Sequence, residues 1–233
     1  MIKTDLSNLR TALSHDSVIV ISKCDENKCF DEASELGKLL PMEENNKTGE
    51  KSGNLFTKIE YNPSLSESFS HSNTAQPLHT DGSYERNAPD IVFFFCRQTA
   101  SFGGATIFMP NSNLIKNIPD DLLSFLVTEK IVHAKADDSK EQTILSFEGD
   151  RAQWNWNFFR AQKNDKNHNN IMSFKKLLDH LERCHLCEEV ILEKGESVFF
   201  WDSDQLHGRN AFIGDRCLIK GGIQTTIQRK KIG

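Results

Sequence analysis

The chain has 233 residues, a formal net charge of −5 and 37% hydrophobic residues, enough for one β-rich domain over 1–233 with a substantial buried core. A sequence pI near 5.9 leaves no broad basic footprint for nucleic acid or an anionic membrane, and the short run Arg229-Lys230-Lys231 reads as solvated. No apolar run reaches membrane-spanning length, and the charged opening MIKTDLSNLR lacks the apolar stretch of a secretory signal, so a cytoplasmic protein without a membrane partner is expected.

In chain order, residues 5–13 read as a helix capped by Asp5 or Ser7, and 17–21 as a short buried strand. Residues 29–40 carry helical spacing in Phe30, Ala33, Leu36, Leu39 and Leu40. The polar stretch 43–53 reads as a mobile loop, 55–61 as an alternating strand and 62–76 as a Ser- and Asn-rich loop. Residues 91–96 (IVFFFC) form a continuous apolar run, expected as a strand buried on both faces. A further strand is expected at 105–108, helices at 111–117 and 119–129, and strands at about 131–136 and 142–147. An amphipathic helix follows over 172–184, with late strands at 190–192, 198–201 and 216–226. Trp154, Trp156, Phe158 and Phe159 read as a strand packing on the core rather than a cofactor box. Many short strands with turn signals and a few outer helices point to a mostly β fold with flanking helices, an antiparallel sandwich or barrel.

The most informative motif is His79-Thr80-Asp81 with His207 far downstream. On a strand, residues i and i+2 share a face, so His79 and Asp81 would project side by side. A distant third ligand completes one face of an octahedron and leaves three adjacent positions open, the arrangement of non-haem Fe(II) oxygenases. Alone, an H-x-D is weak; its surroundings strengthen it. Pro77-Leu78-His79-Thr80-Asp81-Gly82-Ser83-Tyr84 is followed by the apolar strand, then Gly103-Gly104-Ala105-Thr106. Downstream come Leu206-His207-Gly208-Arg209-Asn210 and Asp215-Arg216-Cys217-Leu218-Ile219-Lys220.

These residues together resemble the TauD/TfdA family of Fe(II)- and 2-oxoglutarate-dependent dioxygenases, over roughly 76–110 and 195–228. The resemblance implies a double-stranded β-helix, or jelly-roll barrel, with His79, Asp81 and His207 as iron ligands. It implies 2-oxoglutarate and O2 as co-substrates, with Thr106 and Arg216 receiving the far carboxylate of 2-oxoglutarate. It also implies oxidation of a C–H bond of a small-molecule substrate, with release of succinate and carbon dioxide. Relatives that halogenate carry Gly or Ala at the carboxylate position, so Asp81 argues for hydroxylation, desaturation or ring chemistry instead.

Physical readings accompany each position. Arg offers a planar fork for a carboxylate; against that stands a surface ion pair at the strand start. By period-2 alternation Arg216, Leu218 and Lys220 share a face. Lys220 can meet a substrate acid, assist 2-oxoglutarate or be structural. Tyr84, with Glu85 and Arg86, can line a substrate lid, and Arg209 is either structural or a contact to substrate or co-substrate. Asp202 and Asp204 read as turn residues or as carboxylates orienting a ligating histidine, and His71, His133 and His180 as ordinary. The loops at 43–54, 62–76 and 137–141 and the region 160–170 are expected to shape the substrate pocket. Cys24, Cys29, Cys184 and Cys187 allow a zinc site, against the plainer reading of reduced thiols. Two other readings stay open: a non-catalytic jelly-roll binding protein, and a zinc hydrolase using the same triad, which leaves Arg216 without a role.

Overall fold

The computed structural model describes residues 1–42, 52–66, 68–136 and 138–229, so most of the loop expected at 43–53 lies outside the described residues. Among them, two antiparallel-rich sheets dominate. The larger runs Ile2–Thr4, Val18–Ile21, Ser197–Trp201, Ile91–Gln98, Cys217–Thr225 and Gly37–Leu40, with Phe56–Glu60 also pairing Cys217–Thr225. The smaller runs Glu188–Val190, Thr106–Met109, Leu206–Arg209 and Gln76–His79.

Alternation along the central strands explains how these sheets stack. In Ile91–Gln98, Ile91, Phe93 and Phe95 join one apolar cluster, whereas Val92, Phe94 and Cys96 join another. The first cluster packs under helices Leu9–Leu13 and Glu26–Glu35, through Leu9, Leu13, Cys29 and Ala33. The second contains Phe108 and Val190 of the smaller sheet, so the two sheets face each other across it. A strand with core on both sides needs an unbroken apolar run, as 91–96 has. The outer face of the smaller sheet, through Leu78, Ile107, Met109 and Leu206, packs on a third cluster. That cluster includes Leu122 and Phe125 of Asp120–Thr128 and Phe174 and Leu178 of His168–Arg183.

Several local expectations are corrected. The helix expected at 29–40 is Glu26–Glu35, opened by the Asp25 carboxylate accepting from the Asn27 and Lys28 amides, and Gly37–Leu40 is a strand. Leu39 and Leu40 obey a sheet's alternation rather than a helix's. The helix at 5–13 divides into a 3-10 turn, Leu6–Asn8, and Leu9–Leu13, and Asp5 makes no side-chain cap. Residues 138–141, expected as loop, lie in strand Asp138–Thr143, paired along its length with Lys130–Lys135; its Asp, Ser, Lys, Glu and Gln are weak strand formers, so pairing rather than propensity places it. The expected aromatic strand stops early. Trp154 closes Arg151–Trp154, and Trp154 and Trp156 pack on Phe174. The chain then turns at Asn157, whose side chain accepts from the Phe159 amide, and Phe159 is left exposed. The cysteine pairs lie apart, Cys24 and Cys29 with one cluster and Cys187 with another.

Buried His133 gives a pH prediction. Burial pushes its pKa down to about 4, so the folded protein holds it neutral. A histidine with a folded value below its ordinary 6.5 contributes stability that is present above 6.5 and lost as pH falls toward 4. The loss approaches about 3 kcal/mol at the acid end. Thermal melts of the metal-free protein from pH 7 to 4.5 should show His133→Gln losing less melting temperature than the parent. Equal losses would contradict a buried neutral imidazole.

Candidate metal centre and active-site cavity

The smaller sheet brings two histidines together. His207 in Leu206–Arg209 sits opposite His79 in Gln76–His79, and their rings lie 4.4 Å apart. His79 Nδ1 is 2.9 Å from the Pro77 carbonyl. A carbonyl only accepts, so Nδ1 carries the proton and Nε2 presents its lone pair; the Gln76 amide lies 3.1 Å from that nitrogen. Phe200 and Phe108 pack beside His207, and burial holds its imidazole well below the usual range, hence neutral. His207 is therefore in the state a metal requires, and His79 turns its Nε2 toward the same point.

Asp81 arrives by a route other than the expected one. Strand pairing ends at His79, and Asp81 opens a 3-10 turn, Asp81–Ser83. The cause is Asp202, whose buried carboxylate accepts from the Asp81 and Gly82 amides, both at 2.9 Å, and curls the chain. Gly82 is required there, since a Cβ would stand 2.3 Å from that of Ala88. The curl still delivers the carboxylate: Asp81 lies 3.6 Å from His79 Nε2 through Oδ1 and 3.6 Å from His207 Nε2 through Oδ2. One ligand atom from each of His79, Asp81 and His207 falls within 4.8 Å of the others, and they are the one such His/Cys/Asp/Glu group among the described residues. Burial pushes the Asp81 carboxyl upward, but Lys220 first, then the His79 contact, outweigh it and hold the group well below the usual range. Asp81 Oδ2 is buried without a hydrogen-bond partner among the described residues. Two imidazoles, a carboxylate held ionised and an orphaned oxygen fit a divalent cation.

Asp202 also stands 3.8 Å from His207 Nδ1, and burial, then Asp81, raise its carboxyl to about 7. Asp204 lies outside the triad, held by Ser17 and Gln153 and by Arg229.

The triad opens on a cavity of about 1560 Å³ between the sheets. Thr106, Arg216, Leu218, Lys220, Tyr84 and Arg209 all reach its wall, so the shared face of Arg216, Leu218 and Lys220 holds. Arg216 is 6% exposed, not a surface ion-pair residue. Burial lowers it only to about 10, so it stays charged, and no carboxylate among the described residues pairs with it. Thr106 is buried beside it along the same wall. A buried guanidinium facing a cavity without an anion fits the far carboxylate of 2-oxoglutarate. Gly104 makes room for it: a Cβ there would meet Arg216 Cδ at 3.0 Å, and its φ is +76°. Gly104→Ala should lower stability by roughly 1 kcal/mol or more and weaken 2-oxoglutarate binding; isothermal titration beside a thermal melt checks both.

Lys220 and Arg209, each with a structural reading and a ligand reading open, both have partners within the protein. On the cavity wall, Lys220 Nζ is 2.7 Å from Asp81 Oδ1, against the proposed ligand set. Arg209 donates to the Phe69, Ser72 and Thr74 carbonyls, so its guanidinium is committed to the wall loop. Tyr84 is buried and lines the cavity with Glu85, whereas Arg86 is exposed. His71 also lines it. Residues passed over in the sequence reading are Gln76, three before His79, and Lys135 and Arg160, which carry no motif.

No helix among the described residues is long and apolar enough to cross a membrane. No curated protein matches the chain by sequence. Asparagine oxygenase, solved with Fe(II), 3-hydroxyasparagine and succinate, superposes with a TM-score of 0.74 at 15% identity, covering 94% of this chain and 77% of that one. PvcB of Pseudomonas aeruginosa gives 0.67 at 15% identity, covering 94% and 79%. OrfP, a non-heme iron oxygenase solved with (3S)-hydroxy-L-Arg, gives 0.70 at 13% identity, covering 96% and 83%. These likenesses show a shared fold. The model of the taurine catabolism dioxygenase TauD, TfdA family matches residues 2–222, and the chain therefore belongs to that family of iron- and 2-oxoglutarate-dependent dioxygenases.

Proposed function

We propose that the protein is a single-domain oxygenase that hydroxylates an unactivated C–H bond of a small polar metabolite, an amino acid or a derivative of one. It would consume 2-oxoglutarate and O2 and release succinate and carbon dioxide. The observation that carries this is the convergence of His79, Asp81 and His207 on the same cavity as buried, anion-free Arg216. We read the two facing sheets as the walls of a double-stranded β-helix.

When bound, iron supplies the oxidising chemistry; the protein supplies position and shelter. His79 and His207 would offer Nε2 and Asp81 its carboxylate. Arg216 and Thr106 would hold the far carboxylate of 2-oxoglutarate, fixing its other end toward the triad. Phe94, Phe108 and Phe200 keep the ground behind His207 dry, which strengthens every charge interaction in front of it. Asparagine oxygenase and OrfP, each solved with a hydroxylated amino acid, support an amino-acid substrate for a cavity of this build.

The test is a screen of amino acids and simple derivatives with Fe(II)-reconstituted protein, following succinate and any product heavier by one oxygen. A compound that raises succinate and gains an oxygen is the expected result. Iron-independent succinate release, or substrate-stimulated succinate without oxygen transfer, would refute hydroxylation.

A further inference from the structure

Gln76 reaches the metal centre against the pattern of its own strand. Gln76–His79 is one strand, and residues three apart on a regular strand point to opposite faces. Here the register breaks. His207 stands opposite His79 and Arg209 opposite Gln76, so two steps on one strand answer three on the other. That bulge turns Gln76 back onto the face of His79. Pro77 suits the bulged segment, having no amide to give to the ladder. Gly208 lets the strands close on it: a Cβ there would stand 2.6 Å from the Gln76 carbonyl oxygen. One irregularity thus aims two groups at the same imidazole. The Pro77 carbonyl meets Nδ1 at 2.9 Å, and Gln76 Nε2 lies 3.1 Å from His79 Nε2.

With Nδ1 donating to Pro77, the Gln76 amide is the donor to Nε2. That nitrogen has one lone pair, which can serve the amide or a metal but not both. Filling the triad therefore takes from Gln76 its one side-chain hydrogen bond among the described residues. The amide is then left on the cavity wall beside the ligand set, where an unmatched donor is costly. Across the smaller sheet Gln76 shares a row with Arg209 and Thr106. Thr106 lies at the Arg216 end of the cavity, and Arg209 in the middle is committed to loop carbonyls. A diacid held at one end by Arg216 and Thr106 and reaching the triad brings its other carboxylate toward Gln76. A carboxylate that gives one oxygen to a metal keeps a second that can accept, and a hydrogen bond to an ionised oxygen is a strong one.

We propose that Gln76 is a 2-oxoglutarate-binding residue: its amide leaves His79 when the metal site fills and donates to the carboxylate of 2-oxoglutarate nearest the triad. This rests on reading the cavity as a dioxygenase active site, and it adds a second anchor at the end of the co-substrate opposite Arg216.

The experiment is a pair of anaerobic titrations, Fe(II) into the metal-free protein and 2-oxoglutarate into the Fe(II)-loaded protein, with the visible absorption band recorded in the second. Gln76→Leu removes both the competitor for Nε2 and the donor to 2-oxoglutarate. Fe(II) should bind it no more weakly than wild type, 2-oxoglutarate should bind roughly tenfold more weakly, and the band should shift. Gln76→Glu keeps the shape and sets a like charge against the carboxylate, so it should weaken 2-oxoglutarate further still. A residue that merely props His79 would instead weaken metal and 2-oxoglutarate together. That parallel loss overturns the proposal, as does a Gln76→Leu variant with 2-oxoglutarate affinity within twofold of wild type. A Gln76→Glu variant that binds 2-oxoglutarate as tightly as wild type overturns it too. In each of these cases a normal wild-type band leaves the dioxygenase reading standing. Absence of that band in the wild-type protein overturns the underlying reading, and the role of Gln76 with it.

Discussion

Anaerobic addition of Fe(II) and 2-oxoglutarate to the purified protein should produce a weak visible charge-transfer band, and His79→Ala, Asp81→Ala or His207→Ala should each abolish it. The expectation follows from ligand atoms that converge within 4.8 Å on two buried imidazoles. Groups that merely support a metal ligand are worth about 10–100-fold in metal affinity, so removing a ligand itself should weaken binding by roughly 100-fold or more. Asp202→Asn belongs to the milder class: its single amide oxygen can accept from the Asp81 or the Gly82 amide but not from both, so the turn that delivers Asp81 is weakened rather than lost. Substituting Asp81 by Ala leaves the Lys220 amine without its 2.7 Å partner, which costs stability, so Asp81→Asn is the better-folded companion. Circular dichroism separates a lost ligand from a lost fold. A wild-type band in all three alanine variants would remove these residues from the metal site.

How much of this was legible in the sequence depends on which physical signal each part carries. The central strand Ile91–Gln98 was plain because burial on both faces leaves an unbroken apolar run. The triad was plain because ligand chemistry demands particular side chains at particular spacings, although the reason given for His79 and Asp81 facing together was wrong. Strand alternation does not extend to Asp81; the Asp202 carboxylate bends the chain and brings it round. Such a tertiary hydrogen bond from 121 residues away leaves no local pattern. The same limit hid strand Asp138–Thr143, whose polar sequence becomes a strand only because Lys130–Lys135 lies beside it. Arg209 carried a family-like position but no sign that three loop carbonyls would claim it. The cavity positions of Lys135 and Arg160 were invisible because backbone bonds between strand Lys130–Lys135 and the segment after Asn157 set them, not spacing.

Arg216 and Lys220 should separate cleanly when each is replaced by methionine, which keeps the stem and removes the charge. Arg216 is buried, faces the cavity and pairs with no carboxylate among the described residues, so it would be matched only when a co-substrate carboxylate arrives. Losing that charge-assisted contact should weaken 2-oxoglutarate by about 1.5–3 kcal/mol, or roughly ten- to a hundredfold. Arg216→Lys should recover only part, since an ammonium cannot reproduce the fork. Lys220 shares the Arg216 face, and on sequence alone a substrate acid was a fair partner for it. Its 2.7 Å contact with Asp81 changes the expectation. Lys220 competes for the very carboxylate a metal would use, so Lys220→Met should tighten Fe(II) binding in the absence of 2-oxoglutarate and leave the affinity for any acidic substrate nearly unchanged. Metal titration of the apo protein and substrate titration of the loaded protein read the two effects independently. If Lys220→Met leaves metal affinity as it was and instead costs tenfold in substrate affinity, the amine leaves Asp81 in the working enzyme. The substrate acid would then sit beside the triad.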